Sequence, residues 1–210
     1  MARCPLCSER SAKRYCPAKE TTICAVCCGT KREIEIECPG SCVHLKAGRE
    51  YESDKKPVDT ELLVRVRSFP QSFLNEYGPF LEMISRLVAE ERLTSPWLVD
   101  IDVMEVYKAL TATMKTLSGG IYYETLPESS AQLSLFRRVK TFLDVLMAPP
   151  AEARHRALKV SEILDMLAFL LLAATLNSSG RPKSRQYLDW LAAASGMAEP
   201  RASTSRLILP

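Results

Sequence analysis

The chain has 210 residues, of which 47% are hydrophobic and 25% charged, with a net charge of +3. That composition is globular and excludes a disordered or fibrous chain. Residues 1–56 carry 11 Lys/Arg against 8 Asp/Glu and residues 57–210 carry 17 against 17, an excess too small for the concentrated basic face of a typical nucleic-acid binder.

All eight cysteines lie in the first 42 residues: Cys4, Cys7, Cys16, Cys24, Cys27, Cys28, Cys38 and Cys42. The opening "MARCPLCSER" is polar and already holds a CxxC, so it does not read as a secretory signal. A reducing, cytoplasmic setting is expected, and there eight thiols are not a disulfide framework. "REIEIEC" (Arg32 to Cys38) alternates charge with isoleucine, which predicts a half-buried strand. Residues 1–45 thus form a small finger of short strands and turns. Residues 46–59 are charged and poor in apolar residues, and read as a linker or a frayed helical extension.

From residue 60 to 196 the pattern predicts an α-helical bundle of five or six helices. Leu62, Leu63 and Val66 could face a core before Pro70 breaks the run. A short piece around 72–77 precedes Gly78-Pro79, after which Phe80, Leu81, Ile84, Leu87 and Val88 recur at helical spacing. Ser95-Pro96 reads as an N-cap and first helical residue. Val99, Val103, Val106, Tyr107, Leu110, Met114 and Leu117 then form one stripe, ended by Gly119-Gly120. The next helix runs from about Glu128 to Met147. Residues 151–176 begin amphipathic and become apolar nearly all round, which suits the central helix of the bundle. Their longest apolar run, Met166 to Leu176, is shorter than the roughly 20 residues a membrane span needs, so no membrane association is expected. A last helix lies in "KSRQYLDWLAAAS" and residues 197–210 form a loose tail.

The cysteine intervals carry the chemistry. Cys4/Cys7 and Cys24/Cys27 are two CxxC pairs 20 residues apart. Each CxxC turns two sulfurs toward one point, and Zn²⁺ accepts four such ligands. Cys16, Cys28, Cys38 and Cys42 remain, again four, so two interleaved sites and two Zn²⁺ ions are expected. Some 45 residues bury too little apolar area to fold unaided, and metal would supply the difference. Eight thiolates in two closed sites leave no coordination position for water, which is the structural pattern. Adjacent side chains in an extended turn point apart, so Cys27 and Cys28 could each serve a different ion. His44, two residues after Cys42, is a spare candidate ligand.

The opening Cys4-Pro5-Leu6-Cys7 and the stretch "AKRYCPAKETTICAVC" (Ala12 to Cys27) resemble B-box-type zinc fingers, with HIT and MYND fingers nearly as similar. The resemblance covers residues 4–42. It implies a treble-clef-like or cross-brace module that binds two zinc ions and mediates protein–protein contact or self-association. Where that family has a further ligand three residues after the Cys16 position this chain has Lys19, and the family's closing histidines are absent. Cys28 would replace the missing ligand, with Cys38 and Cys42 closing the second site.

No catalytic constellation stands out in the helical part, so a non-enzymatic protein is expected. His155 lies among arginines near a helix start and reads as a surface residue. Asp100, Asp102 and Glu105 fit the common acidic N-terminal pattern of a helix. Arg181, Lys183 and Arg185 with Tyr187 and Trp190 could mark an interface, although Tyr187 and Trp190 are also spaced to anchor the last helix. The expected function is a zinc-binding adaptor or regulatory protein that contacts a protein partner. The alternatives are a nucleic-acid-binding finger using Arg3, Arg10, Lys13, Arg14, Lys31 and Arg32, and an iron–sulfur or redox protein. Against the first stand Glu33, Glu35 and Glu37; against the second, the absence of any cysteine after Cys42.

Overall fold

The computed structural model describes residues 2–55, 64, 68–120, 122–153 and 155–197; the expected core positions Leu62, Leu63 and Val66 and the tail from 198 lie outside that set. Among the described residues, one short antiparallel sheet is followed by seven helices. Strand β1 (Arg14–Cys16) pairs with β2 (Thr21–Ile23), placing Tyr15 opposite Thr22. The β-branched run Thr21-Thr22-Ile23 suits a pleated surface. The turn between the strands closes with the Lys19 N–H donating to the Cys16 carbonyl and with Glu20 at φ 50°. Helix α1 (Ala25–Lys31) starts directly after β2, with Cys24 as its N-cap.

Arg32–Cys38 is not the strand its alternation predicts. The N–H groups of Ile34, Glu35 and Ile36 all turn back to the Lys31 carbonyl, and Glu33 takes a left-handed φ of 54°. These N–H groups are therefore satisfied locally, with no strand alongside among the described residues. Ile36 is buried while Ile34 is exposed, and Glu33, the charged residue, is 1% exposed. Of the 46–59 span, expected as a linker or a frayed helical extension, the part up to Lys55 is helical. Helix α2 (Val43–Lys55) starts where the Cys42 carbonyl accepts from Leu45 and Lys46, and it crosses the expected boundary at residue 45. It has almost no apolar stripe to advertise it; buried Leu45 and the ion pairs of Arg49 hold it down.

The bundle comprises α3 (Gln71–Thr94), α4 (Asp100–Ser118), α5 (Ser130–Met147), α6 (Val160–Asn177) and α7 (Gln186–Ala194). Tyr107, Leu110, Phe136, Val139, Leu143, Ile163 and Leu167 are among the side chains that meet in one core. The most extensive helix pairing is α4 with α6, as expected of a central helix. Among the described residues, α6 is the one helix long and apolar enough to cross a membrane by length and composition, and here it packs within the bundle.

Three helix boundaries differ from the expectation. Pro79 does not end a helix: α3 runs through it from Gln71 to Thr94. Proline forfeits one backbone hydrogen bond. Buried Tyr77, Leu81 and Ile84 flank it, and a chain of aromatic contacts links Phe69, Phe73, Tyr77 and Phe169 across α3 and α6. Ser95 caps the end of α3 instead of starting α4, whose N-cap is Val99, with Asp102 accepting the Val99 N–H at 3.0 Å. Helix α6 begins at Val160 and not at 151. Glu162 accepts the Lys159 N–H at 2.7 Å, and Arg156 pairs with Glu162 and Glu76, which holds the preceding residues in an irregular turn.

Candidate metal centre

The sequence places the first pair of thiols in a tight knuckle. The Cys4 carbonyl accepts from the Ser8 N–H at 2.7 Å, Ser8 takes a φ of 57°, and the Cys4 N–H donates back to the Arg10 carbonyl. The second pair sits at the start of α1, where the Cys27 N–H donates to Cys24 Sγ at 3.3 Å. The β1–β2 hairpin connects the two and carries the chain round so that α1 begins beside the knuckle.

The Sγ atoms of Cys4, Cys7, Cys24 and Cys27 all lie within 4.8 Å of one another, with Cys7 and Cys24 at 4.0 Å. A tetrahedral ion holding sulfurs at ~2.3 Å would set them about 3.8 Å apart. A disulfide needs its sulfurs at roughly 2.05 Å, and all eight cysteines are free. Cys4, Cys24 and Cys27 are buried, walled by Ile23, Ile36 and Leu6. The donor set and its spacing fit a closed four-thiolate metal site.

The electrostatics fit as well. Burial alone would raise the Cys4 thiol, but N–H groups of Cys24, Leu6 and Cys7 aimed at its sulfur bring it down to about 6. Cys7 is lowered chiefly by the N–H groups of Arg10 and Glu9. Cys27 goes the other way, up to about 12, through burial and the company of Cys24, Cys7 and Cys4. Cys4 and Cys7 are thus eased toward the thiolate while Cys27 is held as a thiol, whose proton an incoming cation would displace. Arg10, paired chiefly with Glu9, and Lys31, paired chiefly with Glu35, also feel the charge of the sulfurs. Their positive charge would favour thiolates at the site.

The other four cysteines do not close to the same distance. Cys16 ends β1, Cys28 lies in α1, Cys38 follows the Lys31 turn and Cys42 precedes α2. Cys16 and Cys42 lie near enough to Cys38 to act on its thiol. Burial raises the Cys38 thiol, the Glu33 N–H partly offsets this, and the charges of Cys42, Glu33 and Cys16 add to the rise. His44 is half-buried and is not a member of the four-sulfur group.

In the helical part, Asp100 is not a surface helix-start charge. It is 0% exposed, and its carboxylate accepts from Ser178 Oγ (2.9 Å), Ser184 Oγ (2.7 Å) and the N–H groups of Tyr187 and Leu188 (both 3.2 Å). It anchors the start of α7 on α4. Tyr187 is buried against Tyr107, whereas Trp190 is half exposed and stacks on Tyr187. Glu105 pairs with Lys108 on the rim of an open groove of about 560 Å³ beside α4, further lined by Ala109, Thr125, Leu126 and Gln132. His155 is half-buried, edge-on to Phe80.

The residues that sequence reasoning missed are those that join finger to bundle. Glu33 accepts from Arg49 Nη2 at 2.6 Å, and its carbonyl accepts the Lys183 N–H at 2.8 Å. Arg49 also donates to Asp189, which pairs with Arg92 of α3 at 2.8 Å. Arg181 reaches Glu52 at 2.9 Å, and Lys183 reaches Glu37 at 3.2 Å. The basic group read as a candidate interface is thus an interface within the chain. Its only sequence signal was a glutamate alternating with isoleucine.

Comparison of the chain with models of known families, with curated proteins and with solved structures gives no match, so function has to be argued from this geometry.

Proposed function

We propose that this chain is a non-enzymatic zinc-binding adaptor or regulatory protein. Cys4, Cys7, Cys24 and Cys27 hold one Zn²⁺ as a structural ion. Cys16, Cys28, Cys38 and Cys42 hold a second, closing on it when it binds. The observation that carries this reading is the convergence of four sulfurs from two CxxC pairs within 4.8 Å. A polynuclear iron–sulfur cluster would have to fit its own iron and sulfide atoms between the cysteines and would hold them further apart. Four thiolates at single-ion spacing favour zinc.

Zinc here supplies folding free energy and charge, with no open position for a substrate or water. The protein's own residues fix loops into a rigid surface: Tyr15, Val26, Ile34 and Val43 are exposed on the finger. A protein partner, or a second copy, in the cytoplasm would be contacted there. Of the six finger cations considered for nucleic acid, Arg32 is buried and Lys31 and Arg10 pair with neighbouring glutamates, which leaves that reading weaker.

The test is metal analysis of the full chain purified without oxygen or added metal. The expected result is two zinc per chain and no visible absorbance; a brown protein with iron and labile sulfide would overturn the reading. Cys28→Ser should release about one zinc, and retention of both would remove Cys28 from the ligands. Steeply salt-dependent binding to RNA or DNA would replace the adaptor reading by the nucleic-acid one.

A further inference from the structure

The contact between finger and bundle is built almost wholly from charge. Glu33 is the pivot, 1% exposed, with Arg49, Ser179 and Arg181 around its carboxylate. Arg49 joins it to Asp189, and Asp189 to Arg92. Charges this buried persist only while paired, because a partner removed leaves its counterpart desolvated and uncompensated. Loss of one member therefore weakens the contacts of its neighbours.

What brings Glu33 to this place is the finger. Glu33 lies five residues after Cys28 and five before Cys38. It sits at the end of α1, the helix that opens with Cys24 and Cys27, in a left-handed conformation that a side chain rarely adopts without external constraint. The turn around it is tied by the carbonyl of Lys31, the last residue of α1, and by that of Ile36, which accepts from the Glu33 and Cys38 N–H groups. Arg32 beside it lies across Gly48 of α2, so closely that any Cβ at Gly48 would collide with the guanidinium. Gly40, just past Cys38, passes Asp189 closely enough that a Cβ would stand 3.2 Å from its carboxylate. Every finger residue in the contact up to Gly40 is thus placed by α1 or by the loop bearing Cys38.

We infer that docking of the finger on the bundle is gated by the finger's metal: with zinc bound, the Glu33 turn engages Arg49, Asp189 and Arg181, and without it the turn relaxes and the contact opens. The coupling acts on the corner 178–190 and the end of α3, leaving the apolar core between α4 and α6 intact. By reciprocity, breaking the contact from the bundle side weakens zinc binding by the same factor by which zinc strengthens docking. This rests on the metal reading above, and goes beyond it by making occupancy visible on the far side of the molecule.

The experiment is hydrogen–deuterium exchange on the full chain, with zinc bound and after chelation, with zinc content measured in each sample. Chelation is expected to raise exchange at least tenfold in residues 178–190 and leave 103–114 of α4 unchanged. Arg49→Met and Asp189→Asn, with zinc bound, should show the same increase, with zinc affinity about tenfold weaker. A chain that binds zinc but exchanges identically at 178–190 with and without it overturns the gate while leaving the metal site standing. Variants that exchange like the wild type would also overturn it. A chain that takes up no zinc overturns both.

Discussion

The finger and the bundle reach order by different physical routes. In the bundle, large side chains such as Tyr107, Phe136, Ile84, Leu110 and Leu143 are removed from water together, and the hydrophobic effect supplies most of the driving force. In the finger, Ile23 and Ile36 pack with the cysteines as nearly the whole apolar interior, and the other buried positions are the charged Arg32 and Glu33 and, at the start of α2, Leu45. An interior of that size cannot offset the chain entropy of some 40 residues. The junction between them follows a third rule: it is polar, buried and specific, and it contributes orientation more than stability. A perturbation should therefore act very differently depending on which of the three it strikes.

The largest effect is expected from Cys24→Ser. It removes one sulfur from the four-thiolate group, while the serine hydroxyl can still cap α1 and accept the Cys27 N–H, so the loss reports on the metal site alone. Structural zinc sites are worth on the order of 10 kcal/mol of folding free energy. Circular dichroism and limited proteolysis should show the finger unfolded and the bundle's helices retained. A finger that stays protease-resistant would break the comparison.

Next comes Leu110→Ala in the bundle, which should destabilise the helical part by about 2–5 kcal/mol in denaturant titration. Its zinc content should not change, since Leu110 is remote from the thiols and packed in the other core. A matching loss of zinc would mean that the two regions fold as one.

Asp100→Asn should cost about 2 kcal/mol. The buried carboxylate accepts four hydrogen bonds, and the amide nitrogen would face the Leu188 N–H if it replaced Oδ1, or the Tyr187 N–H and the two serine hydroxyls if it replaced Oδ2. The readout is thermal unfolding together with exchange at the start of α7.

The smallest effect concerns acid. Glu162 is held down to about 2 from 4.5, chiefly by Arg156, with the Lys159 N–H and the Tyr77 hydroxyl adding to the pull against burial. A lowered carboxylate contributes stability that is complete above its unfolded value and is lost as pH falls through its folded one. Stability should thus decline between about pH 4.5 and 2, by less than about 1 kcal/mol for so open a pair. Glu162→Gln should flatten that limb, as followed by fluorescence at fixed temperature.

The helices with a broad apolar face were legible from sequence: the Val103-to-Leu117 stripe of α4, the helix expected from about Glu128 to Met147 (α5) and the apolar run Met166 to Leu176 of α6 all lie in helices of the bundle. Burial selects side chains at helical spacing, so the pattern survives in one sequence. Legibility failed where tertiary contact overrides a local signal. Pro79 usually ends a helix, yet packing on both sides carries α3 through it. Ser95-Pro96 has the composition of an N-cap, but the cap that forms is the one Asp102 can close on Val99. In the finger, the two CxxC pairs were readable because their spacing is itself the geometry of a metal site. The remaining four cysteines were read as a second set by count, and the structure does not draw them to the same closeness. Glu33 could not be read, since its partners Arg49, Arg181 and Lys183 lie 16 to nearly 150 positions away, and an isoleucine-flanked glutamate looks like the solvent side of a strand.

The claim on which the rest depends is that Cys4, Cys7, Cys24 and Cys27 hold a single ion. X-ray absorption at the zinc edge of the full chain, purified without added metal, addresses it directly. The account expects stoichiometric zinc with a shell of four sulfurs near ~2.3 Å and no neighbouring metal at bonding range, and it expects Cys24→Ser to remove that signal from the first site. A shell of nitrogen and oxygen, or an iron edge with iron–iron scattering, would contradict it.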